Sequence, residues 1–212
     1  MQRIIVIGGG FAGLWAAIGA ARKLEECSIS SEEISITLIS ADPYHAIRVR
    51  NYEADLGDAR VLLDDVLAPV GIKRIEGTVV DIKQLERRLT VEVATGVQIV
   101  SYDKLVLASG SQIRLPSITG LQGQVFNVDT TNEGERLNRH IAALADLSSR
   151  PGDNTVVVVG GGLTGVEVAC EMPAKLRTAG FDKARVIIVD QSNSIGSEMG
   201  HHAQATISKA CS

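Results

Sequence analysis

Two glycine-rich turns hold the residues of this sequence whose types and spacing suit a chemical role. In each turn, three glycines with the spacing Gly-X-Gly-X-X-Gly follow a run of apolar residues and precede a run of helix-forming residues. The glycines are Gly8, Gly10 and Gly13 in the first turn and Gly160, Gly162 and Gly165 in the second. This context predicts a buried strand that turns tightly into a helix, whose free backbone N–H groups bind the pyrophosphate of a dinucleotide.

The duplication of the turn predicts the domain organisation. Gly160 follows Gly8 by 152 positions, which is too far for a solenoid repeat and suits one domain for each turn. We therefore predict an α/β fold with two Rossmann-like, doubly wound parallel-sheet domains, at residues 1–115 and 116–212. Two copies imply two bound dinucleotides. The alternative is a pair of parallel-sheet turns that bind nothing, which the repetition disfavours.

The chain between the two turns predicts an insertion in the first domain. The second strand covers residues 34–39 and the last one residues 104–108. Three short segments with polar turns lie before the last strand, at residues 77–82, 88–93 and 97–101. They are typical of a small antiparallel meander, because their connections are too short for parallel crossovers.

Residues 42–58 show neither a helical nor a strand period, and an irregular segment of this length is often functional. Arg48 and Arg50 could reach phosphate oxygens or a substrate, or they could be solvated. Tyr44 and His45 could line a pocket, although a packing role is favoured. The sequence leaves these alternatives open.

The ends of the second strands predict the nucleotide preference of the two sites. In dinucleotide-binding units, an acidic residue at this place bonds the ribose hydroxyls. Asp190 holds that place in the second unit, whereas Ser40 holds it in the first. A carboxylate bonds a free 2′-hydroxyl and repels a 2′-phosphate, so the second site is expected to prefer NADH to NADPH.

The second helix carries two unusual residues. It is expected to begin near Gly165, which places Glu167 in its first turn. That carboxylate could stabilise the helix dipole or lie beside a nicotinamide. Pro173 is expected to kink or end the same helix, because it removes a backbone hydrogen bond.

Composition excludes several classes of function. The 212 residues carry a net charge of -4 and no basic stripe, so no nucleic acid partner is expected. The sequence has no signal peptide and no apolar stretch long enough to span a membrane, so we expect a cytoplasmic chain. Cys27, Cys170 and Cys211 are scattered and form no redox pair. The adjacent His201 and His202 point in different directions on a helix, so no metal site is expected.

Taken together, the glycine turns, the strand end Ala108-Ser109-Gly110, the strand ending in Asp190 and the Tyr44-His45 segment resemble the front half of a two-dinucleotide flavoprotein. More narrowly, the chain resembles type II NADH dehydrogenases and their relatives in the pyridine nucleotide-disulfide oxidoreductase superfamily. The resemblance implies FAD at the first turn and NADH at the second. It implies that these residues contact FAD: Gly8, Gly10, Phe11, Ala12, Gly13, Ser40, Val79, Ser109 and Gly110. It implies that these contact NADH: Gly160, Gly162, Leu163, Thr164, Gly165 and Asp190.

The same resemblance implies a catalytic role for Glu167, close to the nicotinamide and the flavin. The implied reaction passes a hydride from NADH to FAD and then electrons to a small-molecule acceptor such as a quinone. Family members are about twice as long, so residues 116–212 are expected to form an incomplete domain, and the acceptor, membrane attachment and oligomeric state depend on the missing part. The alternatives are a catalytically incomplete dinucleotide-binding fragment and a ferredoxin- or rubredoxin-type reductase.

Overall fold

The computed structural model describes residues 1–119, 121, 123–144 and 155–211. The chain divides into two compact units, Met1–Ile47 with Arg60–Ile113, and Arg48–Ala59 with Arg114–Ser212. The elements of the first unit are β1 (Gln2–Ile7), α1 (Phe11–Glu26), β2 (Ile34–Ser40), β3 (Tyr44–Ala46), β4 (Arg60–Leu62), α2 (Leu63–Leu67), β5 (Lys73–Glu76), β6 (Thr78–Lys83), β7 (Arg88–Val93), β8 (Gly96–Ser101) and β9 (Lys104–Leu107). Those of the second are α3 (Thr131–Leu144), β10 (Thr155–Val159), α4 (Leu163–Thr178), β11 (Arg185–Val189) and α5 (Gly200–Ala210).

The first unit is built on a four-stranded parallel sheet in the order β5-β2-β1-β9. Because successive side chains of a strand point to opposite faces, the continuous apolar run of β1 is buried on both sides. Val6 packs with Leu14 and Ala17 of α1 on one face. Ile5 and Ile7 pack on the other face against the meander. The central position of β1 fixes the place of the glycine turn that follows it.

The antiparallel insertion is confirmed as the three-stranded sheet β6-β7-β8. Leu89 and Val91 of its middle strand are fully buried in the core that contains Ile5 and Ile7. The structure also shows a two-stranded antiparallel pair, β3 with β4, in which His45 is opposite Val61. The sequence did not predict this pair, because strands of three residues are too short to show a period.

The second unit contains the parallel pair β10 and β11, with α3 and α4 in its core around Ile141, Met172 and Leu176. Of the two outcomes expected at Pro173, the helix does not end there, since α4 runs through it to Thr178, and a kink stays a prediction. Leu137, Ile141 and Leu144 stand at helical spacing and predict a helix over residues 132–147, which is observed as α3; residues 145–147 lie outside the described part. The predicted α/β fold class with parallel sheets is confirmed.

The segment Arg48–Ala59, which we call the strap, belongs to the second unit. Its Asn51 is buried and accepts a hydrogen bond from the Thr131 hydroxyl at 3.3 Å. A side chain at Gly134 of α3 would meet the Asn51 carbonyl oxygen at 2.5 Å, so the helix and the strap are in direct backbone contact. Contacts with α3 therefore hold the strap in place, and this explains why its sequence shows no helical or strand period.

Three features that bear on function are absent from the part of the chain that the structure describes: membrane-spanning helices, metal-binding clusters and paired cysteines. None of its helices is long and apolar enough to cross a membrane. Its histidines, cysteines and acidic residues form no cluster of three or more that could hold a metal ion. Cys27, Cys170 and Cys211 are free and exposed.

Candidate functional site

The first glycine turn is fixed by close contacts that exclude side chains. Gly8 has a φ of 111°, and its N–H donates to the Ile39 carbonyl at 2.8 Å. A Cβ on Gly8 would lie 2.1 Å from the Ala108 carbonyl oxygen, and a Cβ on Gly13 would lie 1.9 Å from the Gly8 carbonyl oxygen. Glycine at these positions lets β9 approach the turn and lets α1 lie directly against it.

The N-terminus of α1 has the form of an anion site. Gly10 is its N-cap residue, and no side chain among the described residues caps it. The Leu14 N–H donates to the Gly10 carbonyl at 2.9 Å, so the N–H groups of Phe11, Ala12 and Gly13 have no partner within the helix. A Cβ on Gly10 would meet no atom within 4 Å. Open space thus borders the free donors where a pyrophosphate would lie.

The second turn repeats this geometry. Gly160 has a φ of 109°, and its N–H donates to the Val189 carbonyl at 2.8 Å. A Cβ on Gly165 would lie 2.0 Å from the Gly160 carbonyl oxygen, whereas a Cβ on Gly162 would meet no atom within 4 Å. The free donors at the start of α4 are the N–H groups of Leu163, Thr164 and Gly165. Both turns therefore fit a dinucleotide in the same way.

The residues that end the second strands differ in charge but not in position. A Cβ on Gly9 would lie 2.9 Å from Ser40 Oγ, and a Cβ on Gly161 would lie 3.1 Å from the Asp190 Cβ. The Asp190 carboxylate accepts hydrogen bonds from the Gly161 N–H at 2.6 Å and from the Ser192 N–H at 2.7 Å. These two bonds hold the pKa of Asp190 below its usual value. Lone pairs remain on the carboxylate for ribose hydroxyls.

Ser109 and Gly110 lie at the same end of the first sheet as its glycine turn, whereas Val79 lies in the meander. Ser109 and Gly110 follow β9 and are exposed, and the Ser109 nitrogen would lie 3.3 Å from a Cβ on Gly8. Val79 is half-buried in β6, next to the register shift between Val79 and Asp81. The structure thus places Ser109 against the turn, with Gly110 next in the chain, and leaves the role of Val79 a prediction.

Glu167 lies in the second turn of α4, not in the first as the sequence suggested, because the helix begins at Leu163. It is half-buried. Burial raises the pKa of Tyr52 in the strap, and the negative charge of Glu167 raises it further. Tyr52 also shares a cleft of about 380 Å³ with Glu171, one helical turn after Glu167. Glu167 therefore lies near enough to Tyr52 of its own unit for its charge to act on that side chain.

Beyond Tyr52, the strap is held by charged and polar contacts within its own unit. Arg48 forms an ion pair with Asp129, and Arg50 forms a two-bond ion pair with Glu53 at 2.6 Å. Asn138 of α3 donates to the Glu53 and Ala54 carbonyls at 3.2 and 3.0 Å. Both arginines are thus ion-paired while their side chains stay 46% and 38% exposed, and a role in binding phosphate or substrate stays a prediction.

A second polar contact links α3 and α4 near the strap. The Asn138 side-chain oxygen accepts a bond from the ammonium of Lys175 at 2.8 Å. Lys175 is 6% exposed, and this burial lowers its pKa. Asn138 therefore bonds the strap with one end of its amide and a buried lysine with the other.

Two donors at the glycine turns were not predicted from the sequence. His45 is buried, and its Nδ1 lies 2.9 Å from the Gly9 carbonyl oxygen. In the second turn, the Gly196 N–H donates to the Gly161 carbonyl at 2.8 Å. From the sequence alone, the segment Tyr44-His45 is compatible with a pocket or with packing. Its sequence carried no signal that it would meet a residue 36 positions away.

Comparison with known proteins gives matches among oxidoreductases. A family model described as pyridine nucleotide-disulphide oxidoreductase matches residues 2–212. An NADH dehydrogenase-like protein of Mycobacterium tuberculosis is 45% identical over 215 residues, which cover 99% of this chain and 53% of that protein. A type II NADH:quinone oxidoreductase of Staphylococcus haemolyticus is 28% identical over 185 residues, which cover 82% of this chain and 44% of that protein.

A solved structure shows the same fold. NDH2 from Plasmodium falciparum, determined in complex with NADH, superposes with a TM-score of 0.78 over 96% of this chain and 44% of that chain, at 16% sequence identity. This chain spans about half the length of the curated relatives it matches.

Proposed function

This chain belongs to the pyridine nucleotide-disulphide oxidoreductase family, and we propose that it binds FAD at the first glycine turn and NADH at the second, within an NADH oxidoreductase. The observation that carries the proposal is the pair of turns with matching backbone geometry, each with free N–H donors and open space at a helix N-terminus. A single turn would suit a dehydrogenase with one nucleotide. Two turns suit a flavoprotein that takes electrons from a nicotinamide.

The assignment of the two nucleotides rests on the residues after the second strands. Asp190 is half-buried as a residue, and its carboxylate keeps lone pairs for two ribose hydroxyls while its charge repels a 2′-phosphate. NADH is therefore the expected ligand of the second turn, in preference to NADPH. Ser40 offers FAD a neutral hydroxyl, which suits a nucleotide held by many other contacts along its length.

Bound FAD would supply the hydride acceptor and the store of two electrons that the protein side chains lack. The chain would orient that cofactor through the N–H groups of α1 and through the exposed Ser109-Gly110 strand end beside Gly8. Glu167 would act in the second unit, with its carboxylate near the nicotinamide. The names of the relatives support a quinone as the final electron acceptor.

The experiment that tests the proposal follows the visible absorption band of oxidised flavin. We expect the purified chain to bind FAD and, without oxygen, to lose that band on addition of NADH, and to lose it much more slowly with NADPH. A chain that binds neither nucleotide would contradict the proposal. Binding of both without bleaching would support the catalytically incomplete alternative.

The acceptor is tested separately on an NADH-reduced, flavin-loaded sample. We expect a soluble quinone analogue to restore the oxidised band faster than a ferredoxin does. The reverse order would favour a ferredoxin-type reductase and leave the nucleotide assignment intact.

A further inference from the structure

His45 makes a contact that no part of the proposed reaction uses. Its side chain is 7% exposed, and its Nδ1 lies 2.9 Å from the Gly9 carbonyl oxygen in the middle of the first turn. Because a carbonyl can only accept, Nδ1 carries the hydrogen and donates it. The ring also meets the Phe11 ring edge to face, with centroids 4.6 Å apart. His45 therefore touches the turn on both sides of Gly10.

The orientation of one peptide unit connects this contact to the anion site. The peptide between Gly9 and Gly10 is trans, so its C=O and N–H groups point in opposite directions. A donor that holds the Gly9 carbonyl consequently holds the Gly10 N–H on the other side. Gly10 borders open space, where the pyrophosphate of a dinucleotide would lie. Without a fixed carbonyl, two glycines in sequence leave this peptide free to rotate.

The second turn provides an independent comparison. Gly161 occupies the place of Gly9, and its carbonyl accepts a hydrogen bond from the Gly196 N–H at 2.8 Å. The same peptide is thus held in both turns, by a side chain in one and by the backbone in the other. A contact that recurs with a different donor points to a requirement of the turn itself.

His45 is held in place by elements that do not depend on the turn. It lies in β3, paired opposite Val61 of β4, and the Leu63 N–H donates to the Pro43 carbonyl at 2.9 Å. A Cβ on Gly9 would meet Leu63 Cδ1 at 2.8 Å. The donor is therefore preorganised, and the peptide has little space for another position.

We propose that His45 is a positioning residue of the FAD site, which orients the Gly10 N–H toward the cofactor pyrophosphate by donating from Nδ1 to the Gly9 carbonyl. The proposal rests on the assignment of FAD to the first turn. It predicts that the position of one N–H donor, and not the charge or size of the imidazole, determines the effect of substitutions.

Three variants separate these contributions. In His45→Asn, the amide nitrogen is attached to Cγ as Nδ1 is, so it can keep the donor in place. In His45→Gln, the donor lies one bond further from the backbone, and in His45→Leu it is absent. We expect Leu and Gln to weaken FAD binding about tenfold, the effect of losing one buried hydrogen bond. We expect Asn to stay within about threefold of the wild type.

The readouts are FAD affinity by titration of flavin fluorescence, NADH affinity at the second turn, and the unfolding temperature without nucleotide. NADH affinity is expected to be unchanged in all three variants. Equal FAD affinity in the wild type and in His45→Leu would overturn the proposal, and so would an Asn variant as weak as the Leu variant at an equal unfolding temperature. If His45→Leu does not fold, the FAD affinities of His45→Asn and His45→Gln decide, and equal affinities in these two variants would overturn the proposal. A wild type that binds NADH but no FAD would overturn the proposed function, and this assignment with it.

Discussion

The two glycine turns of this chain have the same backbone and different surroundings. Gly8 and Gly160 have φ values of 111° and 109°, and each donates at 2.8 Å to a carbonyl in the last two residues of the neighbouring strand. The helices that follow have 16 residues each. The Gly9 carbonyl of the first turn accepts a hydrogen bond from the His45 side chain, whereas the Gly161 carbonyl of the second turn accepts one from the Gly196 N–H. Steric contacts thus determine the backbone conformation of both turns. The residues around each turn differ and are expected to determine which nucleotide it binds.

The same comparison extends along the helices. Lys175 of α4 corresponds to Lys23 of α1 at the spacing that relates the turns, yet Lys175 is buried and Lys23 has a side chain that is 71% exposed. Glu167 corresponds in the same way to Trp15, which is 67% exposed. The second helix therefore carries charged groups into its unit where the first does not. These differences can be tested one at a time.

The largest effect is expected from the glycines. Gly13→Ala and Gly165→Ala each place a methyl group about 2 Å from a carbonyl oxygen, so the helix must move away from the turn. We expect each to weaken binding of its own nucleotide by at least about 100-fold and that of the other nucleotide by little. Titration with FAD and with NADH measures both.

Gly10→Ala and Gly162→Ala are the matched variants. A methyl group there meets no protein atom, so the unfolding temperature is expected to change little while nucleotide binding is still lost. Full binding in these two variants would show that the open space beside each helix does not hold the pyrophosphate. Loss of both nucleotides from one substitution would contradict two independent sites.

The next effect concerns the polar contacts of α4. Asn138→Leu removes the acceptor of the buried Lys175 ammonium and the donors to the strap carbonyls. We expect a loss of about 2 kcal/mol in the free energy of unfolding, measured with urea, because a buried charged donor is left unpaired. Lys23→Met in α1 is the control and is expected to change it by less than about 0.5 kcal/mol. Equal losses of unfolding free energy in the two variants would mean that the polar contacts of α4 stabilise the fold no more than the exposed lysine of α1 does.

A smaller effect is expected from the strand-end residues. Asp190→Ser gives the second turn the residue type of the first, and we expect NADH affinity to fall about tenfold while NADPH affinity falls less or rises. Ser40→Asp makes the reciprocal change and is expected to leave NADH binding unaltered. Asp182→Ser, an exposed aspartate of the same unit, serves as the control. An unchanged preference for NADH in Asp190→Ser would remove Asp190 from the site.

The features that the sequence predicted well are those that local sterics and short periods determine. The apolar run of β1 and the spacing of Gly8, Gly10 and Gly13 identify a strand, a turn and a helix without any distant contact. The start of α4 was misplaced because its third motif glycine lies inside the first helical turn, which also misplaced Glu167.

What the sequence did not predict depends on contacts between distant segments. His45 reaches Gly9 only because β3 pairs with β4, and neither three-residue strand has a visible period. The strap joins the second unit through Asn51 and Asn138, whose polar side chains are ordinary surface residues in sequence terms. The division into an FAD domain at residues 1–115 and an NAD(H) domain at residues 116–212 stays a prediction.

The smallest expected effect distinguishes the two turns by pH. The Gly161 and Ser192 N–H groups lower the pKa of Asp190 in the folded chain, so its carboxylate contributes stability above the unfolded pKa of about 4, and that contribution is lost as the pH falls through the folded pKa. Asp190→Asn is therefore expected to unfold more easily than the wild type near neutral pH and to approach it in acid. Urea unfolding from about pH 7 to about pH 3 measures the difference, with Asp182→Asn as control. An Asp190→Asn variant as stable as the wild type near neutral pH would show that a neutral acceptor serves the second turn as well as a carboxylate does, and that only the nucleotide requires the charge.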